Sequence, residues 1–185
     1  MRRVAVPLLR WTAVALLATL VLSPRAGAQV PSQGIKVHGH WVIEVRNPDG
    51  SLHLRREFEN ALTAEGKVGL AQLLSGSRGT VNHWIVTVVG CGSGTSCTIS
   101  EPDDVVFVAG STTFKNLTRQ IQNSNELVLR GTVVAPGDGA VSAVGTIFYS
   151  TQSPFPVNFT GTSLAPSIPV SLSQTISIAV TITFS

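Results

Sequence analysis

Residues 37–59 read VHGHWVIEVRNPDGSLHLRREFE, and their period of two decides the fold. Two runs of alternating apolar and polar residues, Val37 to Arg46 and Ser51 to Glu59, flank Asn47, Pro48, Asp49 and Gly50, a tetrapeptide with strong turn chemistry. This predicts a β-hairpin. If Arg46 faces Ser51, opposing residues sum to 97, which sets His38 against Glu59, His40 against Glu57, Val42 against Arg55 and Glu44 against His53. The other face collects Val37, Trp41, Ile43, Val45, Leu52, Leu54 and Phe58, interrupted by Gly39 and Arg56. A one-residue slip would mix the oily set with the charged one, so the pattern demands an odd sum.

The same period returns downstream. Strands are expected at Trp84 to Val89, Val105 to Val108, Phe114 to Gln122, Glu126 to Ala135, Val141 to Tyr149, Val157 to Leu164 and Gln174 to Phe184. Turn signals separate them at Asn123 to Asn125, at Pro136 to Gly139 and around Pro154, Pro156, Pro166 and Pro169. The last strand alternates most cleanly, with Ile176, Ile178, Val180, Ile182 and Phe184 against Ser177, Ala179, Thr181 and Thr183. One helix is expected, Thr63 to Leu74, with Thr63 as N-cap, Glu65 in the first turn and Gly76 as its stop. Val68, Leu70, Ala71, Leu73 and Leu74 supply a candidate buried stripe, which Gly66 and Gly69 weaken. The whole predicts a mainly β fold: an antiparallel, jelly-roll-like β-sandwich with one short α-helix after an N-terminal hairpin.

Upstream of the hairpin, Arg2 and Arg3, an apolar run from Trp11 to Leu22, and small residues Ala26, Gly27 and Ala28 have the three parts of a secretory signal. The expected division is residues 1–28 as signal peptide, 29–36 as flexible leader and 37–185 as one β-sandwich domain. The uninterrupted apolar run is 12 residues, short of the roughly 20 needed to span a bilayer. The formal charge of +3 reflects this leader: without its 4 arginines, 9 basic residues face 10 acidic ones, a net charge of −1. That balance removes any electrostatic footprint for nucleic acid. An outer-membrane barrel fits poorly with a mid-chain helix and a single Tyr, since such barrels carry two aromatic girdles.

Cys91 and Cys97 enclose Gly92, Ser93, Gly94, Thr95 and Ser96, a stretch flexible enough to bring the sulfurs together in an oxidising compartment. A disulfide-closed surface loop is expected rather than a redox or metal pair, because the spacing is not Cys-x-x-Cys and no second pair exists.

The run His38, His40, Trp41, Ile43 to Gly50, Arg56 to Phe58 and Asn60 to Leu62, followed by a Gly- and Leu-rich helix, resembles a group of uncharacterised secreted bacterial β-sandwich proteins. Its order of hairpin, helix and strands ending in Ile and Thr alternation also resembles modules associated with phage tail fibres. The signal-like leader departs from the second pattern, and neither resemblance implies catalytic residues.

Candidate chemistry is sparse. His38, His40, Glu57 and Glu59 share one polar hairpin face and could ligate Zn²⁺ or another divalent ion. A solvated ladder of paired charges explains the same residues, and also Arg55 and the Glu44 to His53 pair, which a metal does not need. Glu101, Asp103 and Asp104 could offer oxygens to Ca²⁺, without EF-hand spacing. His83 at a strand start reads as a surface or capped residue. No Gly-x-Ser-x-Gly elbow or phosphate-binding Gly-rich loop occurs. Aromatics for sugar stacking reduce to Trp84 and to Phe155 or Phe159, since Trp41 is assigned to the core. Asn116 with Thr118 and Asn158 with Thr160 are acceptor sequons in a eukaryotic secretory pathway.

The expectation is a secreted, periplasmic or cell-surface protein of structural, assembly or adhesion and ligand-binding role. It works without an enzyme activity, a cofactor or a membrane span after signal removal. Its partner is a second copy, another surface protein or a glycan. Strand addition at an open edge is expected to use Ile176, Ile178, Val180, Ile182 and Phe184. The alternative is a metal-binding module or metal-dependent hydrolase on the His and Glu cluster.

Overall fold

A computed structural model describes residues 34–92, 94–101 and 111–185. The expected signal peptide, the leader up to residue 33, the strand Val105 to Val108, and Asp103 and Asp104 lie outside the described residues. Within them, Ile35 to Ser185 form one compact unit, a β-sandwich of two five-stranded sheets. The elements are β1 (Val37–Arg46), β2 (Leu52–Ala61), α1 (Ala64–Leu74), β3 (Val81–Gly92), β4 (Thr95–Ser100), β5 (Ser111–Phe114), β6 (Thr118–Gln122), β7 (Glu126–Val134), β8 (Gly139–Ser150), β9 (Ser153–Val170) and β10 (Thr175–Phe184). One sheet runs β2-β1-β10-β7-β6 and the other β5-β4-β3-β8-β9. Every ladder is antiparallel except β4 with β5, a departure from the all-antiparallel jelly roll expected.

The first hairpin forms with its faces as expected, except that Leu52 beyond a bulge is exposed, and with a different register. From His38 to Val45 the partners sum to 99, pairing His40 with Glu59, Val42 with Glu57, Glu44 with Arg55, and His38 with Ala61. The turn is longer than the tetrapeptide: Asn47 N–H donates to Ser51 O at 2.9 Å, and Asp49 Oδ1 accepts from both the N–H and the hydroxyl of Ser51. The ladder then breaks between Val45 and Arg46, leaving His53 as an extra residue on β2. A two-residue shift keeps parity, which is why Trp41, Ile43 and Val45 remain fully buried while the partners of the histidines change.

The core lies between the sheets. Ile176, Val180 and Ile182 of β10 are fully buried with Trp41, Ile43 and Leu129 from the same sheet, and meet Val86, Val88 and Phe148 from the other. Trp84, Phe148 and Phe159 form a triangle with ring centroids 5.4 to 5.5 Å apart in tilted or edge-on geometry. Trp84 is therefore core and not a sugar platform.

Helix α1 begins as read, with Thr63 Oγ1 accepting from Gly66 N–H at 2.8 Å. Its packing face matches the expectation only at Leu70 and Leu73: Gly66 and Gly69 are its buried residues, while Val68 and Leu74 are well exposed. A Cβ at Gly66 would lie 2.1 Å from Phe159 O, and one at Gly69 2.7 Å from a Val157 methyl. The glycines are therefore what lets the helix lie against β9, with Leu70 and Leu73 packing at its margins. The contact exists because β9 bulges at Phe159, between partners Thr160 to Thr146 and Asn158 to Ile147, and the Phe159 carbonyl accepts Thr63 N–H at 3.0 Å.

The expected strand Phe114 to Gln122 divides in two, because Asn116 and Leu117 carry the chain from one sheet to the other. The stretch after Gly94, read as loop, is strand β4, and the Cys91–Cys97 bridge joins β3 to β4 with Cα atoms 5.8 Å apart and both residues buried in the core. Among the described residues no helix is long and apolar enough to cross a membrane.

Candidate functional site

The alternation of β10 that buries its isoleucines puts Thr175, Ser177, Ala179, Thr181 and Thr183 on the outer face of the sheet. β10 is central, with β1 on one edge and β7 on the other over nearly its whole length. It has no free edge. The expectation that Ile176, Ile178, Val180, Ile182 and Phe184 form an edge for strand addition is therefore corrected: these side chains fill the core, and both ladders of the strand are occupied.

The short outer side chains of β10 leave a trough between taller neighbours. The register builds it in two rows, Val42, Ala179, Arg130 and Thr118, then Glu44, Ser177 and Thr132. The resulting open groove has a volume of about 390 Å³. Its β7 wall is braced from the β6 side, where Thr118 Oγ1 donates to Arg130 O and Asn116 Nδ2 donates to Thr132 O. Glu44 at the β1 wall accepts from Arg46 and Arg55, each at 2.7 Å. The hydrogen bond from Arg46, with Arg55 behind it, holds its carboxyl below the ordinary value, so it is charged and already neutralised at neutral pH. Arg130 on the other wall is exposed and, among the described residues, has no carboxylate within ion-pair distance. The groove thus carries one uncommitted cation beside hydroxyls and an amide.

Of the four proposed metal ligands, His40, Glu57 and Glu59 lie near one another as an ion-pair cluster, and His38 is left out. His40 Nδ1 lies 2.7 Å from Glu59 Oε1 and its Nε2 lies 3.9 Å from Glu57 Oε2, whereas His38 faces Ala61. Among the described residues no three His, Cys, Asp or Glu groups are arranged to hold a metal ion. The register is the cause, since His38 loses the partner that a sum of 97 would give it. Glu57 is also engaged by Arg55, leaving the face a charge ladder exposed to water.

His83, expected at the surface, is buried, with Nδ1 3.9 Å from Glu101 Oε2. The same carboxylate accepts Trp84 N–H at 2.8 Å, and its other oxygen lies 3.1 Å from Arg119 Nε, tying β3 to β6. Phe155 is exposed, but Phe159 is core. The groove was missed in the sequence because it depends on which strands flank β10. Only the run of small outer residues on that strand hinted at it.

No family model, curated protein or solved structure matches this chain.

Proposed function

We propose that this is an exported, non-enzymatic β-sandwich that binds at the cell exterior, with the groove over β10 as its contact surface and a carboxylated, polyhydroxylated chain such as an acidic glycan as its ligand. One observation carries the reading: Arg130, without a carboxylate partner among the described residues, stands at the rim of a trough floored by Ser177 and Ala179, while the acid on the facing wall is neutralised by two arginines. An anionic oxygen gains a charge-assisted hydrogen bond from the guanidinium, and hydroxyls of the ligand can exchange hydrogen bonds with Ser177 and Thr132. The Cys91–Cys97 bridge supports the compartment, because disulfides persist where the environment is oxidising. Without an aromatic platform in the groove, recognition rests on polar contacts, so affinity per site is modest and salt-sensitive.

Affinity electrophoresis in gels containing polygalacturonate or neutral dextran tests this. The mature chain is expected to be retarded by polygalacturonate alone, and Arg130→Ala to run free. Equal mobility in all gels, or equal retardation of the variant, would overturn the assignment.

A further inference from the structure

Among the described residues four strands end the two sheets, and three of them are protected against pairing with another chain. β9 contains Pro154, Pro156, Pro166 and Pro169, which lack N–H donors, and its ladder to β8 shifts register three times. β2 carries Arg55, Arg56, Glu57 and Glu59 and the bulge at His53, and Arg56 donates to Pro166 O at the adjoining rim. β5 is the shortest strand at four residues, is joined by a parallel ladder and runs straight into Lys115.

β6 has fewer of these devices: it is short at five residues, but its antiparallel ladder to β7 is regular and carries no bulge. Its sequence TRQIQ holds no proline, and its one charge, Arg119, is bound to Glu101 at 3.1 Å. Thr118 to Ile121 are all exposed, Ile121 at 74%. Its pairing with β7 uses one edge, and among the described residues the other edge has no strand partner.

We propose that β6 is a strand-addition edge and that its partner is a second copy of this chain. A two-fold axis normal to the sheet pairs the strands antiparallel and keeps each side chain on its own face, which requires an even register sum. Centring on Gln120 uses all five residues: Gln120 meets its own copy, Thr118 meets Gln122, and Arg119 meets Ile121. No like charges oppose each other, and the aliphatic stem of Arg119 covers the exposed isoleucine of the other copy. The two five-stranded sheets become one of ten strands. Five paired residues make a small interface, so the dimer is weak and forms with rising concentration. The proposal stands on the strand edges and not on the groove.

Sedimentation velocity of the mature chain from about 1 μM to about 1 mM reads the association directly. The unmodified chain is expected to pass from monomer to dimer, and Ile121→Lys, which sets a lysine against Arg119 in both symmetry-related pairs, to weaken association by about tenfold or more. A cysteine at the axis gives an independent reading, because facing Cα atoms in an antiparallel ladder fall within disulfide reach. Gln120→Cys is expected to form a covalent dimer in mild oxidant much faster than His53→Cys on β2. Unchanged melting temperatures establish that all three variants fold. A strictly monomeric protein at the highest concentration, a dimer indifferent to Ile121→Lys, or crosslinking no faster at Gln120 than at His53 would overturn the proposal.

Discussion

Replacing Gly66 by Ala sets two effects of opposite sign against each other. In an exposed helix interior the change stabilises by roughly 0.5–1 kcal/mol, because glycine loses more backbone freedom on folding. Here the new methyl would lie 2.1 Å from Phe159 O, a backbone atom already fixed by Thr63 N–H at 3.0 Å. Restoring contact distance moves the helix start away from β9 by more than about 1 Å, which loosens that bond and the Asn158 Nδ2 to Glu65 bond of 2.8 Å. Overpacking of this kind costs typically 1–3 kcal/mol, and a strained backbone bond adds about 1 more. The clash wins, with a net loss of about 2 kcal/mol, or a fall in melting temperature of about 4–8 °C for a unit of this size. Thermal and urea unfolding of Gly66→Ala measure it. Gly76→Ala is the control: its φ is +74° with open space around it, so it loses only about 1 kcal/mol from left-handed strain. A Gly66→Ala protein as stable as the parent, or more so, would refute the close approach of α1 to β9.

Deleting Thr175 to Ser185 is expected to abolish the fold, because β10 separates β1 from β7; a cooperative unfolding transition in the truncated chain would contradict this. Reduction of Cys91–Cys97, or its replacement by paired alanines, is expected to cost about 2 kcal/mol from the small ring, read as a lower urea midpoint. Glu44 is held below its ordinary 4.5, first by the hydrogen bond from Arg46. Its stabilising contribution is therefore complete above that value and lost as pH falls through the lower folded one. Glu44→Gln is expected to flatten the decline in melting temperature below pH 4.5, and an unchanged acid limb would refute the link.

The hairpin, the helix cap and the two-layer architecture were legible because each rests on local chemistry: period-two alternation, a turn tetrapeptide, and a Thr followed by an acidic first turn. The register was not, because a bulge at His53 and a lengthened turn cost little and leave parity untouched from His38 to Val45, turning out only Leu52. Nor was the helix face, since glycine counts against a helix by propensity and becomes its contact surface only beside the bulged Phe159. Strand order was the largest loss. β10 was expected at an open edge, whereas the pairing of β1 with β10 and β10 with β7 is a long-range choice that no local pattern records. The groove inherits that illegibility. Its floor was visible as Ser177 and Ala179, but its walls, Glu44 and Arg130, lie more than a hundred and about fifty positions from them in sequence order.

The most direct test of the binding role is amide chemical-shift mapping of the labelled mature chain during titration with oligogalacturonate. Perturbations concentrated at Arg130, Thr132, Ser177 and Ala179, absent with a neutral oligosaccharide and absent in Arg130→Ala, are predicted. Shifts confined to other surfaces, or none at saturating ligand, would contradict the account.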